Sequence, residues 1–535
     1  MAADTILRGG RLITMDPARP RAAAIGIRGD RIDSIGSDEA VLATADRDTE
    51  IIDLADATVV PGLIDSHTHL ELTSYSRHFW HDVRGLTPVQ VVEEIDRMTR
   101  SLPPGEWIIL QGTFGQVLPD KAALDDVAPE HPVAVRWSMH KFQLNSCALA
   151  LSAIDRRTVA PPGARIHFDA DGGPSGLIEE GWDLLRWEPP LLAPLAAAIT
   201  ETARSLFLCH GITTLHEIAA SPTGMAAYVR LAEGQATGDT PVIPRIGLAL
   251  TVAPGHQPLA RTVSQVTGTG LRSGFGGPYL RLAAMKVFVD GGRDGALRSK
   301  GINADGREWG LLTRTPQHLA NEVSEAVSNG VQMWIHAIGD LAQEATVTAI
   351  EQASRAHPGA DHRTRIEHFG NELYDGARLE RLLLAGGIPA PNPSFVFAEP
   401  DEPERRLPPD VVKYGMRTLL DAGARPPGNS DTAGAQPFAC NPWFTMHCMV
   451  NRLNRNDLAI DPGEAITVEE ALRSFTVDAA AGCFLTAERG SLETGKLADL
   501  AVLNKDPLSI PATELATVTA TRTLVGGRTG HLART

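Results

Sequence analysis

The sequence predicts an α/β protein with three parts. They are a (β/α)8 TIM-like barrel, a small β-sandwich domain formed by both chain ends, and a large insertion after the first barrel strand. Three observations predict it. In the middle of the chain, apolar strand-like runs that end in polar residues alternate with helical patterns, as in a parallel sheet made of βα units. Residues 1–60 and 487–535 share a different texture of short strands broken by glycine. The stretch from His69 to His216 is far longer than one βα unit requires.

The N-terminal strands come first. Ile6 to Thr14 and Ala24 to Arg28 are apolar runs interrupted by Gly, and Gly29-Asp30 opens a hairpin into Arg31 to Ile35. Ala498 to Leu503 and Val518 to Val525 have the same character at the other end. One domain from residues 1–60 plus 487–535 is therefore expected, rather than two unrelated β appendages. Residues 61–486 are expected to form the barrel. Its strands end near His69, His216, Val252, Asp290, His336, His368, Pro391 and Asp431. A closed barrel carries its site at these C-terminal strand ends. Residues 72–195, rich in Pro and Trp and with an Asp169 to Pro174 turn cluster, form the insertion. A cap over the mouth is expected of it; a peripheral decoration is the competing reading.

Composition narrows the function. The 535 residues include 43% hydrophobic and 21% charged residues, as in ordinary globular proteins, and can bury a large core. Lys plus Arg number 49 and Asp plus Glu 65, a formal charge of −16. That argues against nucleic acid or an anionic membrane as partner, both of which attract basic faces. Cys147, Cys209, Cys440, Cys448 and Cys483 contain no Cys-x-x-Cys pair, which fits reduced thiols rather than a disulfide framework. No secretory signal and no long uninterrupted apolar run is visible, so a cytoplasmic protein is expected. A small-molecule substrate is expected, and homo-oligomerisation stays open.

The chemistry is concentrated at the predicted strand ends. Val59 to Leu70 runs through Pro61-Gly62 into His67-Thr68-His69. Residues i and i+2 of a strand point to one side, so both imidazoles can reach one metal ion. A bare His-x-His is weak, but one closing an apolar strand favours a metal site over a satisfied pair. Lys286 interrupts the apolar run Ala283 to Val289, and a buried ammonium needs a partner, a shifted pKa or a modification. His336, His368 and Asp431 end further runs. Each alone reads more simply as structural; together, in barrel order, they read as a site.

This ordered set resembles the amidohydrolase superfamily, and within it the amidohydrolase-3 branch that includes N-substituted formamide deformylases. The resemblance spans nearly the whole chain. It rests on Pro61 to His69, His140 to Ser146, Pro174 to Glu180, the Lys286 strand with Asp290-Gly291, His336 to Asp340, Ile366-Glu367-His368, Ser430-Asp431, and Gly490 to Leu500.

The resemblance implies a metal-dependent hydrolase of C–N bonds with His67, His69, His336, His368 and Asp431 around one or two divalent ions, zinc first among them. Lys286 matches a lysine that many members carbamylate to bridge two metals. A single-metal site with Lys286 unmodified and paired with Asp290 or another carboxylate is the alternative. Asp431 matches the usual general base. His140 matches a catalytic and substrate-facing position, and Glu180 a substrate-facing one. Manganese, iron or nickel suit the same ligands. Another reaction of the superfamily, such as ester hydrolysis, deamination or decarboxylation, is the alternative function, and a non-catalytic barrel a more distant one. The chain departs from the pattern in three places. They are Asn392 in Pro391-Asn392-Pro393, Asn429 before Ser430, and Gly292-Arg293 after Asp290-Gly291. They put the substrate, rather than the ligands, in question.

Overall fold

The computed structural model describes residues 2–113, 115–137, 139–218, 220–253, 259–299, 313–400, 407–433 and 436–533. Met1, Arg534 and Thr535, the limits of the expected terminal domain, lie outside them.

A curled sheet of seven parallel strands organises the middle of the chain. In chain order these are β1 (Leu63–Thr68), β2 (Ile212–Ile218), β3 (Arg245–Thr251), β4 (Leu280–Phe288), β5 (Met333–His336), β6 (Arg365–Glu367) and β7 (Ile388–Ala390). Each pairs with its neighbour in sequence, so the sheet order is β7-β6-β5-β4-β3-β2-β1. Every residue of β1, β2, β5 and β6 is buried. Burial on both faces explains why these strands read as continuous apolar runs rather than alternating ones. Connecting helices such as Pro222–Thr237 and Pro316–Ser328 begin at Ser221 and Thr315, whose side chains accept backbone N–H groups, with proline in the first turn. Leu319, Val323, Ala326 and Val327, spaced by three and four, face inward from the second of these.

The eighth predicted strand is a correction. Residues 424–432 have no regular secondary structure. The segment is nevertheless tied to β1: Ser66 N–H donates to Gly428 O, Asp431 N–H to His67 O, and His69 N–H to Thr432 O. Towards β7 its link is a side chain, since Asn429 Nδ2 donates to Pro391 O at 2.8 Å. Asp431 itself sits at φ +46°, outside extended geometry, which is why no ladder forms here.

Both termini meet in two sheets. Leu500–Leu503 pairs antiparallel with Thr58–Pro61, placing C-terminal strands beside N-terminal ones in a six-stranded sheet. A four-stranded sheet holds Thr5–Arg8, Ala24–Arg28, Arg31–Gly36 and Glu50–Asp53. Leu7, Ile25 and Ile32 from this sheet share one apolar core with Leu12, Val59 and Leu500 from the other. The hairpin expected at Gly29-Asp30 is present, with Gly29 at φ +59°. Ile6 to Thr14 is not one strand. Gly9-Gly10 breaks it, and Thr5–Arg8 and Arg11–Ile13 join different sheets.

The long stretch after β1 carries its own six-stranded sheet and its own core, including Val91, Ile95, Ile108, Leu124 and Val133. Its tryptophans have a task. The buried Arg136 guanidinium lies against the rings of both Trp80 and Trp182, 4.3 and 4.5 Å from their centroids. This stack joins the start of the stretch to its end. The helical run Leu192–His210 that follows is long and apolar enough to cross a membrane by length and composition alone. Here Leu195, Ile199, Ala203 and Phe207 are in the main core, and the helix packs on Leu70–His78.

Candidate metal centre and pocket

The polar residues predicted at the strand ends converge, with one exception. His67 Nε2 and His69 Nε2 stand 3.4 and 3.3 Å from Asp431 Oδ1. The rings of His67 and His368 are 5.6 Å apart, and those of His336 and His368 4.3 Å. Ligand atoms of His67, His368 and Asp431 all lie within 4.8 Å of one another. The exception is His216, which lies within β2 rather than at its end. It packs on Trp334 and donates towards Asp65 O, away from this cluster.

Each of the four histidines gives one ring nitrogen to an oxygen. His67 Nδ1–H donates to Glu367 Oε2 at 2.5 Å, and His69 Nδ1–H to Ile218 O at 2.8 Å. His336 Nε2–H donates to Gly291 O at 3.0 Å, and His368 Nδ1–H to Asn392 Oδ1 at 2.6 Å. An oxygen acceptor requires the proton on the bonded nitrogen, so the other nitrogen carries a lone pair. That is the arrangement in which imidazoles bind metals. Burial holds His67, His336 and His368 well below the usual imidazole range, with Lys286 adding to the shift in each. They are therefore neutral at pH 7, as metal ligation requires.

Lys286 on β4 is fully buried, and its Nζ has no hydrogen-bond partner among the described residues. Burial lowers it to about 8, although Glu367 and Asp431 oppose the shift. The pairing with Asp290 weighed from sequence does not occur. Asp290 accepts the backbone N–H groups of Leu297, Ile338 and Gly339, all within 3.1 Å. Burial raises Asp431, but His67, His69 and Lys286 outweigh it and hold the carboxylate below its ordinary range. An orphaned buried amine beside an anion, four oriented imidazoles and a carboxylate make a donor set that fits one or two divalent cations.

Several residues of the site escaped the sequence reading. Arg365 grips Glu367 with Nε and Nη2 at 2.8 and 2.9 Å, which fixes the acceptor for His67. Asp65 accepts Ser430 Oγ–H at 2.5 Å and so fastens the Asp431 segment to β1. The departures Asn392 and Asn429 are both fully buried and act together. Pro391 O takes Asn429 Nδ2, Asn429 Oδ1 takes Asn392 Nδ2 at 2.7 Å, and Asn392 Oδ1 takes His368. They hold His368 from behind and are not among the residues lining the cavity. In the sequence both stand out only as departures from the family pattern. Asn392→Leu should leave the fold intact and weaken metal binding about 10–100-fold, as loss of such supporting partners does. A metal-binding isotherm unchanged from the parent would reject the orienting role.

A cavity of about 420 Å³ opens over this cluster. His336, His368 and Asp431 line it together with Trp137, His140 and Glu180 from the long stretch after β1. His140 lies 6.2 Å from the His336 ring. Its Nδ1 bonds the Glu180 carboxylate at 2.9 Å, and Glu180 Oε1 also accepts Gly292 N–H at 2.7 Å. A β-carbon on Gly292 would fall 2.7 Å from His140 Cγ, so only glycine lets the imidazole sit there. Burial lowers His140, but Glu180 more than compensates and the net shift is upward. His368, Asp431 and Glu180 have positive φ of 73°, 46° and 53°. Such backbone is costly for these residues and persists where surrounding structure imposes it, as at functional sites.

Fold and site together define the class. The Amidohydrolase family matches residues 50–531, and the chain belongs to that family, which makes it a hydrolase. It is 28% identical to an N-substituted formamide deformylase of Arthrobacter pascens, over 98% of this chain and 97% of that one. It is also 28% identical to the putative amidohydrolase YtcJ of Bacillus subtilis, over 98% of both. Among solved structures, an uncharacterised metal-dependent hydrolase from Pyrococcus horikoshii shares the fold. Its TM-score is 0.72 at 22% identity, over 95% of this chain and 99% of that one.

Proposed function

We propose that this protein is a metal-dependent amidohydrolase that cleaves a non-peptide C–N bond of a small organic molecule. The observation that carries the reading is the set of four buried histidines, each with one nitrogen committed to an oxygen and the other left to coordinate. His67, His69, His336, His368 and Asp431 would hold the metal, with zinc the first expectation and Lys286 as a carbamylated bridge between two ions. A bound divalent ion supplies hydroxide from water at neutral pH and polarises the scissile carbonyl.

The remaining steps belong to the chain. Asp431, ionised at neutral pH, takes the proton of the attacking water and passes it to the departing amine. His140 donates to the oxygen on which negative charge develops. Glu180 holds His140 in place and in its protonated form. In this reading residues 1–60 and 487–535 form a β-sandwich, and residues 61–486 a barrel closed by the 428–432 segment. Residues 72–195 cap it. The cytoplasm is the expected compartment.

The test is turnover of formamide, N-acyl, carbamate and cyclic amide panels by zinc-reconstituted protein. Release of amine that stops on chelation and returns with metal is the expected result. No cleavage of any class by fully metal-loaded protein would overturn the reading. His140→Gln should lower kcat by about 10²–10³-fold at unchanged metal content, the range for loss of one oxyanion donor. Parental kinetics in that variant would remove His140 from the mechanism.

A further inference from the structure

The long stretch after β1 holds a buried cation that the proposed chemistry does not use. Arg136 ends the strand Val133–Arg136, and its side chain is wholly buried. Burial lowers it to about 9, so it stays charged at neutral pH. None of its three guanidinium nitrogens has a hydrogen-bond partner among the described residues. Its surroundings are aromatic rings. It lies against Trp80 and Trp182, 4.3 and 4.5 Å from their centroids. Those two rings are 5.7 Å apart, and Trp187 stands 6.0 and 5.8 Å from them.

A charge in such a place is costly. Ring faces attract a guanidinium, but they offset only part of its lost hydration. An apolar side chain of similar volume would fill the space at lower cost. Stability therefore does not account for arginine here. What a guanidinium adds is a rigid plane that lies on aromatic faces and fixes their relative position.

The strand and the rings lead to the cavity. Beyond Arg136 the chain passes through Trp137 to His140, both on the cavity wall, and returns as Lys141–Leu144. Phe142 of this returning strand pairs with Arg136 and meets Trp182 edge to face at 5.4 Å. Glu180 N–H donates to His140 O at 2.8 Å, and Trp182 follows two residues later. Trp80 comes two residues after the helix Leu70–His78, which follows directly on His69. One guanidinium thus joins the strand leading to His140, the segment carrying Glu180 and the segment leaving the metal cluster.

We propose that Arg136 is a positioning residue: its plane on Trp80 and Trp182 sets where His140 and Glu180 stand over the metal cluster. This rests on the amidohydrolase reading and on the part His140 has in it. Arg136 acts through these neighbours, since a wholly buried side chain cannot touch substrate.

The test is Arg136→Met in zinc-loaded full-length protein, with melting temperature, metal content and kinetics measured together. Methionine fills nearly the same volume without charge or plane. The variant should melt no lower than the parent and keep its metal, whose proposed ligands lie outside the long stretch. Its kcat should fall about tenfold to 10²-fold, the cost of a misplacement of about 1 Å. Arg136→Lys keeps the charge but not the plane, and should be as slow as the methionine variant. Parental kcat in Arg136→Met overturns the proposal, and so does full rescue by lysine. A marked loss of melting temperature, or of the fold, in Arg136→Met overturns it too, because Arg136 would then serve stability. If the parent cleaves no amide, the amidohydrolase reading fails separately, and crystal structures of the parent and Arg136→Met decide. Displacement of the His140 ring or the Glu180 carboxylate by about 1 Å or more supports the positioning role; an unmoved pair refutes it.

Discussion

His67→Ala should lose bound metal and abolish turnover while the chain still folds. The imidazole is one of several donors gathered on Asp431, and its partner Glu367 remains gripped by Arg365 after the change. His336→Ala should behave alike, because its ring meets that of His368 edge to face, centroids 4.3 Å apart, within the same cluster. Asp431→Asn separates ligation from proton transfer. The amide keeps the shape but cannot accept a proton at neutral pH. A fall of about 10²–10⁴-fold in kcat is expected for a lost general base. Metal analysis of each purified variant, beside its rate, makes the check. Full occupancy in both histidine variants would show that the metal, if any, sits elsewhere. An Asp431→Asn rate close to the parental one would rule out the base.

Lys286→Ala should cost the second metal and most of the activity, and short carboxylates such as acetate or propionate should restore part of it. The buried Nζ has no hydrogen-bond partner among the described residues and faces the side of the sheet where Glu367 and Asp431 exert their charge. An ammonium there is costly to bury and would repel a neighbouring cation. Lowered to about 8, the amine is partly neutral near physiological pH, the form that can take up carbon dioxide. With release of a proton, the amine and carbon dioxide would give a carbamate, an anionic oxygen donor that could join the histidines and Asp431 in holding divalent metal. A density map of zinc- and bicarbonate-treated protein showing a plain amine and one fully occupied metal would refute the bridge. Two metals per chain in Lys286→Ala would refute it as well.

The family match gives the chain its place among hydrolases, and the geometry says how its own residues share the work. Three of its sequence departures turn out to have two different roles. Asn392 and Asn429 are buried behind His368 and hold its ring by a chain of hydrogen bonds. Arg293 lines the cavity and pairs with Glu399.

By itself the sequence determined the strand pattern, because buried parallel strands must be apolar on both faces and interrupt that pattern only where a polar residue has a use. That rule exposed His67, His69, Lys286, His336 and His368 at or within apolar runs. The shared texture of short Gly-broken strands pointed to the chain ends, where Leu500–Leu503 pairs with Thr58–Pro61. Only the tertiary structure decided what periodicity cannot encode. The segment around Asp431 is not a strand, because its left-handed backbone serves the site rather than a ladder. His216 shares the look of a ligand but lies within β2 and turns towards Trp334. Glu367, Asn392 and Asp65 act through partners 300, 24 and 365 residues distant in sequence, namely His67, His368 and Ser430. Hydrogen-bond direction and charge balance depend on which side chains meet in space, and contacts across such separations leave no local trace in the chain.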